Sequence, residues 1–180
     1  MGIFKSCLPA WKDIFIVLSA TVFAIFSWSI RGFLFILPSI GLRYAAMEII
    51  AIFFYMMAFA LLESFLTTGG LVVVSAILPR TWFREGFSYK GFLVALVGSI
   101  ASIRYQAFLG FEFPETNTYL LWAGVLFLVL IGLGLLFHFI PRFQFVLMSI
   151  ADRFTVFAYL YIPIGILGLA VVVFRNLLSD

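Results

Sequence analysis

The sequence predicts an all-α integral membrane protein. It reads as a bundle of about five transmembrane helices with one short interfacial or re-entrant segment, forming a single transmembrane domain over 1–180. Three observations lead there. Hydrophobic residues make up 65% of the chain and charged residues only 11%, against roughly 25% in an ordinary soluble domain. Mean hydropathy is +1.22. Apolar stretches of about 20 residues, the length that crosses a bilayer as helix, recur along the whole chain.

Five stretches reach that length: residues 14–37, 45–66, 91–111, 119–140 and 154–174. The first holds Arg31 near its far end, with Pro38 just beyond. Residues 32–41 either extend this first helix or lie along the interface after a kink. Residues 71–79 are apolar but too short to span. They follow Thr67, Thr68, Gly69 and Gly70, and two adjacent glycines are an expected break. A helix continuing into the interface is the plainer reading of 71–79. A re-entrant segment would need shielding from lipid by protein or water. Residues 141–153 are moderately amphipathic and are expected on the cytoplasmic surface, and Pro163 is expected to kink the fifth span.

Residues 1–12 are too mixed for a cleaved signal peptide, so the first apolar run is expected to be retained. The opening Met1 to Ser6 loosely fits a myristoylation pattern, with Cys7 as a neighbouring palmitoylation candidate. Cys7 is the only cysteine, so neither an internal disulfide nor a cysteine metal cluster can form. The halves do not mirror each other, and an odd number of spans argues against an inverted repeat.

The net charge is +3, with no basic face of the size that nucleic-acid binding needs. The basic residues instead set orientation. Lys5, Lys12, Arg80, Arg84, Lys90, Arg142 and Arg153 fall on one side, and Arg43 and Arg175 on the other. That bias puts the N-terminus in the cytoplasm and, after five spans, the C-terminus outside a cell membrane. Trp11, Trp82, Trp122, Tyr44, Tyr89 and Tyr119 fall near span ends, where an aromatic belt belongs.

Charges inside a membrane are costly and call for a partner or a purpose. Arg31, Glu48 and Arg104 are the first group. From the span limits above, Glu48 lies ~5 Å and Arg104 ~9 Å from the outer end of their helices, at about 1.5 Å of rise per residue. Arg31 is expected at a similar depth. Two readings follow: an ion pair of Glu48 with Arg104, Arg31 or both that fixes helix register, or an arginine site for an anionic group. Arginine's planar fork suits a phospholipid phosphate or a small anion. Glu63 and His138 form a second layer near the cytoplasmic interface. There they either snorkel to headgroups or relay protons. Ser99, Ser102, Arg104 and Gln106 make the third span the most polar, so it should face the bundle interior. Ala95 with Ser99, Gly98 with Ser102, Gly132 with Gly134, and Gly165 with Gly168 offer close helix contacts.

No hydrolase, zinc-protease or phosphate-loop motif occurs, and a lone histidine cannot build a multi-histidine metal site. The expectation is a chain with no cofactor, metal or catalytic group. The leading functional reading is a small non-enzymatic membrane protein of the transport or channel type, working as a homo-oligomer. The alternative is an accessory or scaffold subunit bound to a membrane partner. A weaker one is an enzyme acting on a lipid headgroup, with Glu48 as base.

Overall fold

A computed structural model describes residues 9–78, 83, 86–109, 116–139 and 141–178; side chains at 107, 109, 116, 133–139, 141–143 and 178 fall outside that description. Among the described residues the chain is all-helical, in five helices: α1 Trp11–Gly41, α2 Ala46–Ile77, α3 Phe87–Leu109, α4 Thr116–Phe139 and α5 Pro141–Leu178. Residues 1–8, with the lipidation pattern and Cys7, lie outside the described residues, as do Arg80, Trp82 and Arg84.

Among the described residues three helical stretches are long and apolar enough to cross a membrane: Trp11–Gly41, Ala46–Ile77 and Gln144–Leu177. In α4 the described apolar stretch is the shorter Asn117–Gly132. α3 is the least apolar helix, because Lys90, Ser99, Ser102, Arg104 and Gln106 interrupt it.

The helices are longer than the apolar runs suggested. α1 continues through Arg31 and Pro38 to Gly41, so 32–41 extend the first helix. Pro38 sits in its last turn and forgoes the bond to the Leu34 carbonyl, and the helix runs only three residues beyond it. The break expected at 67–70 does not occur, and 71–77 are the last turns of α2, not a separate re-entrant piece. The two glycines together forfeit about 2 kcal/mol of helix propensity. Three features oppose that cost. Thr68 is buried and donates a hydrogen bond to the Thr21 hydroxyl at 3.2 Å. Leu71 and Val72 pack on the core. In apolar surroundings the backbone has no water to replace its helical bonds. Residues 141–153 likewise are not a separate surface helix but the first turns of α5, which starts at Pro141 and continues past Pro163. Proline at a first helical position loses no bond that the helix could have made.

α1 is the central helix. It packs against α2, α3 and α5, and α2 also packs along α5, while among the described residues α4 touches only α3 and α5. Buried α1 positions run almost without gap: Ile16, Val17, Ser19, Ala20, Thr21, Val22, Ala24 and Phe26. Leu18, Phe23 and Ile25 between them are half-buried, so α1 keeps one more exposed side along this stretch. Its outer third, by contrast, leaves Leu34, Phe35 and Ile36 exposed.

Specific contacts fix the directions. Thr21 meets Thr68 beyond the short 42–45 turn, so α1 and α2 are antiparallel. Val17 lies against Gly91, and Ala24 and Trp28 share a wall with Gly98 and Ser102, so α1 and α3 run the same way. Phe23 touches Phe154 and Phe157, and Phe26 stacks on Tyr161 at 5.2 Å between ring centroids, so α5 follows that direction too. Tyr105 meets Tyr119 while Ala101 faces Ala123, which makes α4 antiparallel to α3. The helix starts of α1, α3 and α5 therefore share one end of the bundle.

Glycines set the closest approaches. A Cβ on Gly168 would sit 2.5 Å from the Phe54 carbonyl oxygen and 2.9 Å from the Ala58 nitrogen. One on Gly165 would meet Leu61 at 2.8 Å and the Phe26 ring at 3.0 Å. One on Gly91 would meet Val17 at 2.7 Å. At Gly168 one backbone packs on another, while Gly165 and Gly91 receive the side chains of Leu61, Phe26 and Val17 against their own backbone; small residues permit such approaches. The hydroxyls buried here bond inside their own helices: Ser19 to Phe15, Thr21 to Val17 and Ser64 to Ala60, at 2.6–2.7 Å.

A candidate polar cleft around Glu63

α2 presents two stripes. Met57, Leu61, Ser64, Thr68 and Ser75 are buried. Glu63, Thr67 and Leu71, spaced four apart and rotated from that stripe, line a cleft of about 320 Å³ between α1, α2, α3 and α4. α3 faces it with Gly98, Ser99, Ser102 and Gln106, the i, i+1, i+4, i+8 pattern of one helix face. Trp28 of α1 and Leu126 of α4 complete the walls. Gly98 has no neighbour within 4 Å of the place a Cβ would occupy. This glycine therefore widens the cleft and makes no close helix contact.

Glu63 is close to the middle of its helix, seventeen residues from Ala46 and fourteen from Ile77. A span ending at 66 placed it near the cytoplasmic interface; eleven further helical residues move that end ~16 Å away, by the helical rise. Its carboxylate has no hydrogen-bond or ion-pair partner among the described residues. The polar groups sharing its cleft are the hydroxyls of Thr67, Ser99 and Ser102, the Gln106 carboxamide and the Trp28 indole. No lysine, arginine or histidine lines it among the described residues.

The first group of charges is not brought together. Glu48 stands at the third position of α2, and its Oε2 accepts a hydrogen bond from the Ala45 backbone N–H at 3.1 Å. It is a helix N-cap contact, favoured also by the helix dipole; Ala45 has no side-chain acceptor for the reciprocal bond. Arg31 lies ten residues before the end of α1. Glu48 and Arg31 are thus ~12 Å apart along neighbouring antiparallel helices, by the helical rise. Arg31 instead lays its guanidinium over the Trp28 ring, 5.4 Å from the centroid. Arg104 is exposed, on the face of α3 turned from the cleft residues Ser102, Ile103 and Gln106. The side chain of His138 is outside the described residues; its backbone is twelve residues along α4 from Leu126.

A smaller cavity of about 130 Å³ adjoins the cleft, sharing Ser102 and Leu126 with it. Tyr105, Tyr119 and Trp122 line it, with Tyr105 edge-on to both partners at 5.9 and 5.5 Å. The Tyr105 hydroxyl is buried without a hydrogen-bond partner among the described residues. A buried hydroxyl left unbonded costs about 1–3 kcal/mol, so this seam between α3 and α4 is less well satisfied than the α1–α2–α5 core.

Of the four polar α3 residues expected to face inward, Ser99, Ser102 and Gln106 line the cleft and Arg104 does not. Trp28 and Thr67 were not expected there. Their signals were slight: Trp28 is a tryptophan in mid-span, away from the belt positions, and Thr67 follows Glu63 by one helical turn. No protein-family model matches the chain, and no curated protein or solved structure shows a significant similarity to it.

Proposed function

We propose that this chain is a multi-pass membrane protein of the transport type, in which the Glu63 cleft forms the polar path and Glu63 exchanges a proton or cation. The observation that carries the reading is a mid-helix carboxylate on a cleft wall, without a partner among the described residues. On insertion scales a charge at the bilayer centre costs about 3 kcal/mol. Such a group is retained where it meets water, a proton or a ligand. In this reading all five helices cross a cell membrane, and the shared end bearing Lys12, Lys90 and Arg153 is cytoplasmic. α4, held only at its contacts with α3 and α5, offers the side on which further copies assemble.

The test is flux in liposomes. Full-length protein is reconstituted with a trapped pH dye, and a potassium diffusion potential is imposed with valinomycin. The parent should carry protons well above protein-free vesicles, and Glu63→Gln should fall at least tenfold toward that baseline. Equal flux in parent and Glu63→Gln, or none in either, overturns the reading.

A second reading, a scaffold subunit, draws on the glycine-mediated packing of α1, α2 and α5. It predicts no flux and a membrane partner that co-purifies through the exposed faces.

A further inference from the structure

We propose that the Glu63 cleft is a binding site for a small organic ammonium ion. This rests on the transport reading for its biological use but not for its chemistry. The cleft offers one carboxylate, three hydroxyls and a carboxamide. Those groups accept hydrogen bonds from N–H donors, and the single charge selects a cation. Anionic ligands are disfavoured, since no described cationic side chain lines the wall.

Size and geometry then separate the cations. Dehydrated metal ions need about six oxygen ligands at roughly 2.0–2.6 Å. Here the oxygens are spread over α2 and α3 around some 320 Å³, which a bare ion would leave largely empty. That volume falls at the lower end of small-molecule sites, about 300–1,000 Å³. The remaining lining is apolar or aromatic: Ala24, Ile25, Val94 and Leu126, with Trp28. Ammonium ions carrying alkyl groups use both kinds of wall, pairing with the carboxylate and resting carbon on the apolar side. Gly98, with open space at its missing Cβ, keeps the floor clear; an alanine there would narrow the site.

The test uses the full chain in nanodiscs of zwitterionic lipid. Butylammonium chloride is titrated calorimetrically, with sodium and potassium chloride at matched ionic strength. The parent should bind butylammonium saturably and at least tenfold more tightly than either metal ion. Glu63→Gln should weaken binding at least tenfold, Glu63→Asp should retain most of it, and Gly98→Leu should block it. Glu48→Gln, outside the cleft, should bind as the parent does. Unchanged binding in Glu63→Gln, no saturable binding in the parent, or equal affinity for sodium overturns the assignment. If Glu63-dependent proton flux persists without ammonium binding, this inference fails and the transport reading stands. If Glu63-dependent binding occurs without flux, the transport reading fails and the site stands.

Discussion

The two sides of the bundle solve the same packing problem differently. Between α1, α2 and α5 the backbones approach closely at Gly168, Leu61 and Phe26 pack onto Gly165, rings interlock around Phe23 and Phe26, and Ser19, Thr21 and Ser64 bond within their own helices. Between α1, α2, α3 and α4 a glycine opens space where it could have closed it, a carboxylate stands on the wall, and the Tyr105 hydroxyl is buried without a partner among the described residues. Small and polar residues occur on both sides, so residue type alone does not separate scaffold from site. What separates them is whether each polar group is satisfied locally and whether each glycine has a neighbouring helix packed against it.

Breaking the tight side should have the largest effect. Gly168→Val would drive side-chain carbon into the Phe54 carbonyl and the Ala58 backbone. Overpacking of this kind costs about 1–3 kcal/mol, and with backbone on the far side the upper end is expected. A large fall in midpoint on detergent unfolding checks this, whereas a parental midpoint would mean that α2 and α5 are not so closely apposed.

The cleft side should respond in the opposite sense. Glu63→Leu removes a charge that has no partner among the described residues, so it should raise stability by about 1 kcal/mol while abolishing flux. Loss of stability instead would show that Glu63 is a structural group with a partner. Thr68→Val is subtler. It removes the bond to Thr21, yet the Thr21 hydroxyl keeps Val17 as acceptor. Interhelical bonds of this type average about 0.6 kcal/mol, and the unfolding midpoint should fall by little more. Smallest of all is Gly70→Ala. Nothing lies within 4 Å of the Cβ site, so the helix gains about 0.5 kcal/mol of propensity. A destabilised Gly70→Ala would indicate that the helix bends or breaks at 67–70 after all.

Much of the fold could be read from the chain alone, because apolar runs of bilayer length announce helices directly. Helix ends could not. Hydropathy reports where lipid is tolerated, while a helix continues for as long as its backbone bonds are worth keeping. Arg31, Pro38, Gly69, Gly70 and Pro141 all looked like boundaries, and each turned out to be inside a helix or at its first residue. Glu63 shows the consequence. Its depth depends entirely on where α2 ends, so a carboxylate read as interfacial belongs at the centre of its helix. Pairings between helices were also beyond reach: Glu48 met its own N-terminus and Arg31 met Trp28, both within four residues along the chain. Gly165 and Gly168 were correctly marked as contacts. Gly98, marked the same way, borders open space, a distinction that depends on what lies across from each residue.

The central claim is that the cleft side holds water and the α1–α2–α5 side does not. Cysteines placed singly at Ser99, Ser102, Thr21 and Ser64, in a Cys7→Ser background, test it in intact membranes. A charged, membrane-impermeant methanethiosulfonate reacts only with thiolate in contact with water. The account predicts rapid labelling of Ser99→Cys and Ser102→Cys from at least one side of the membrane and none of Thr21→Cys or Ser64→Cys. Uniform silence at all four positions, or equal labelling of all four, would contradict it.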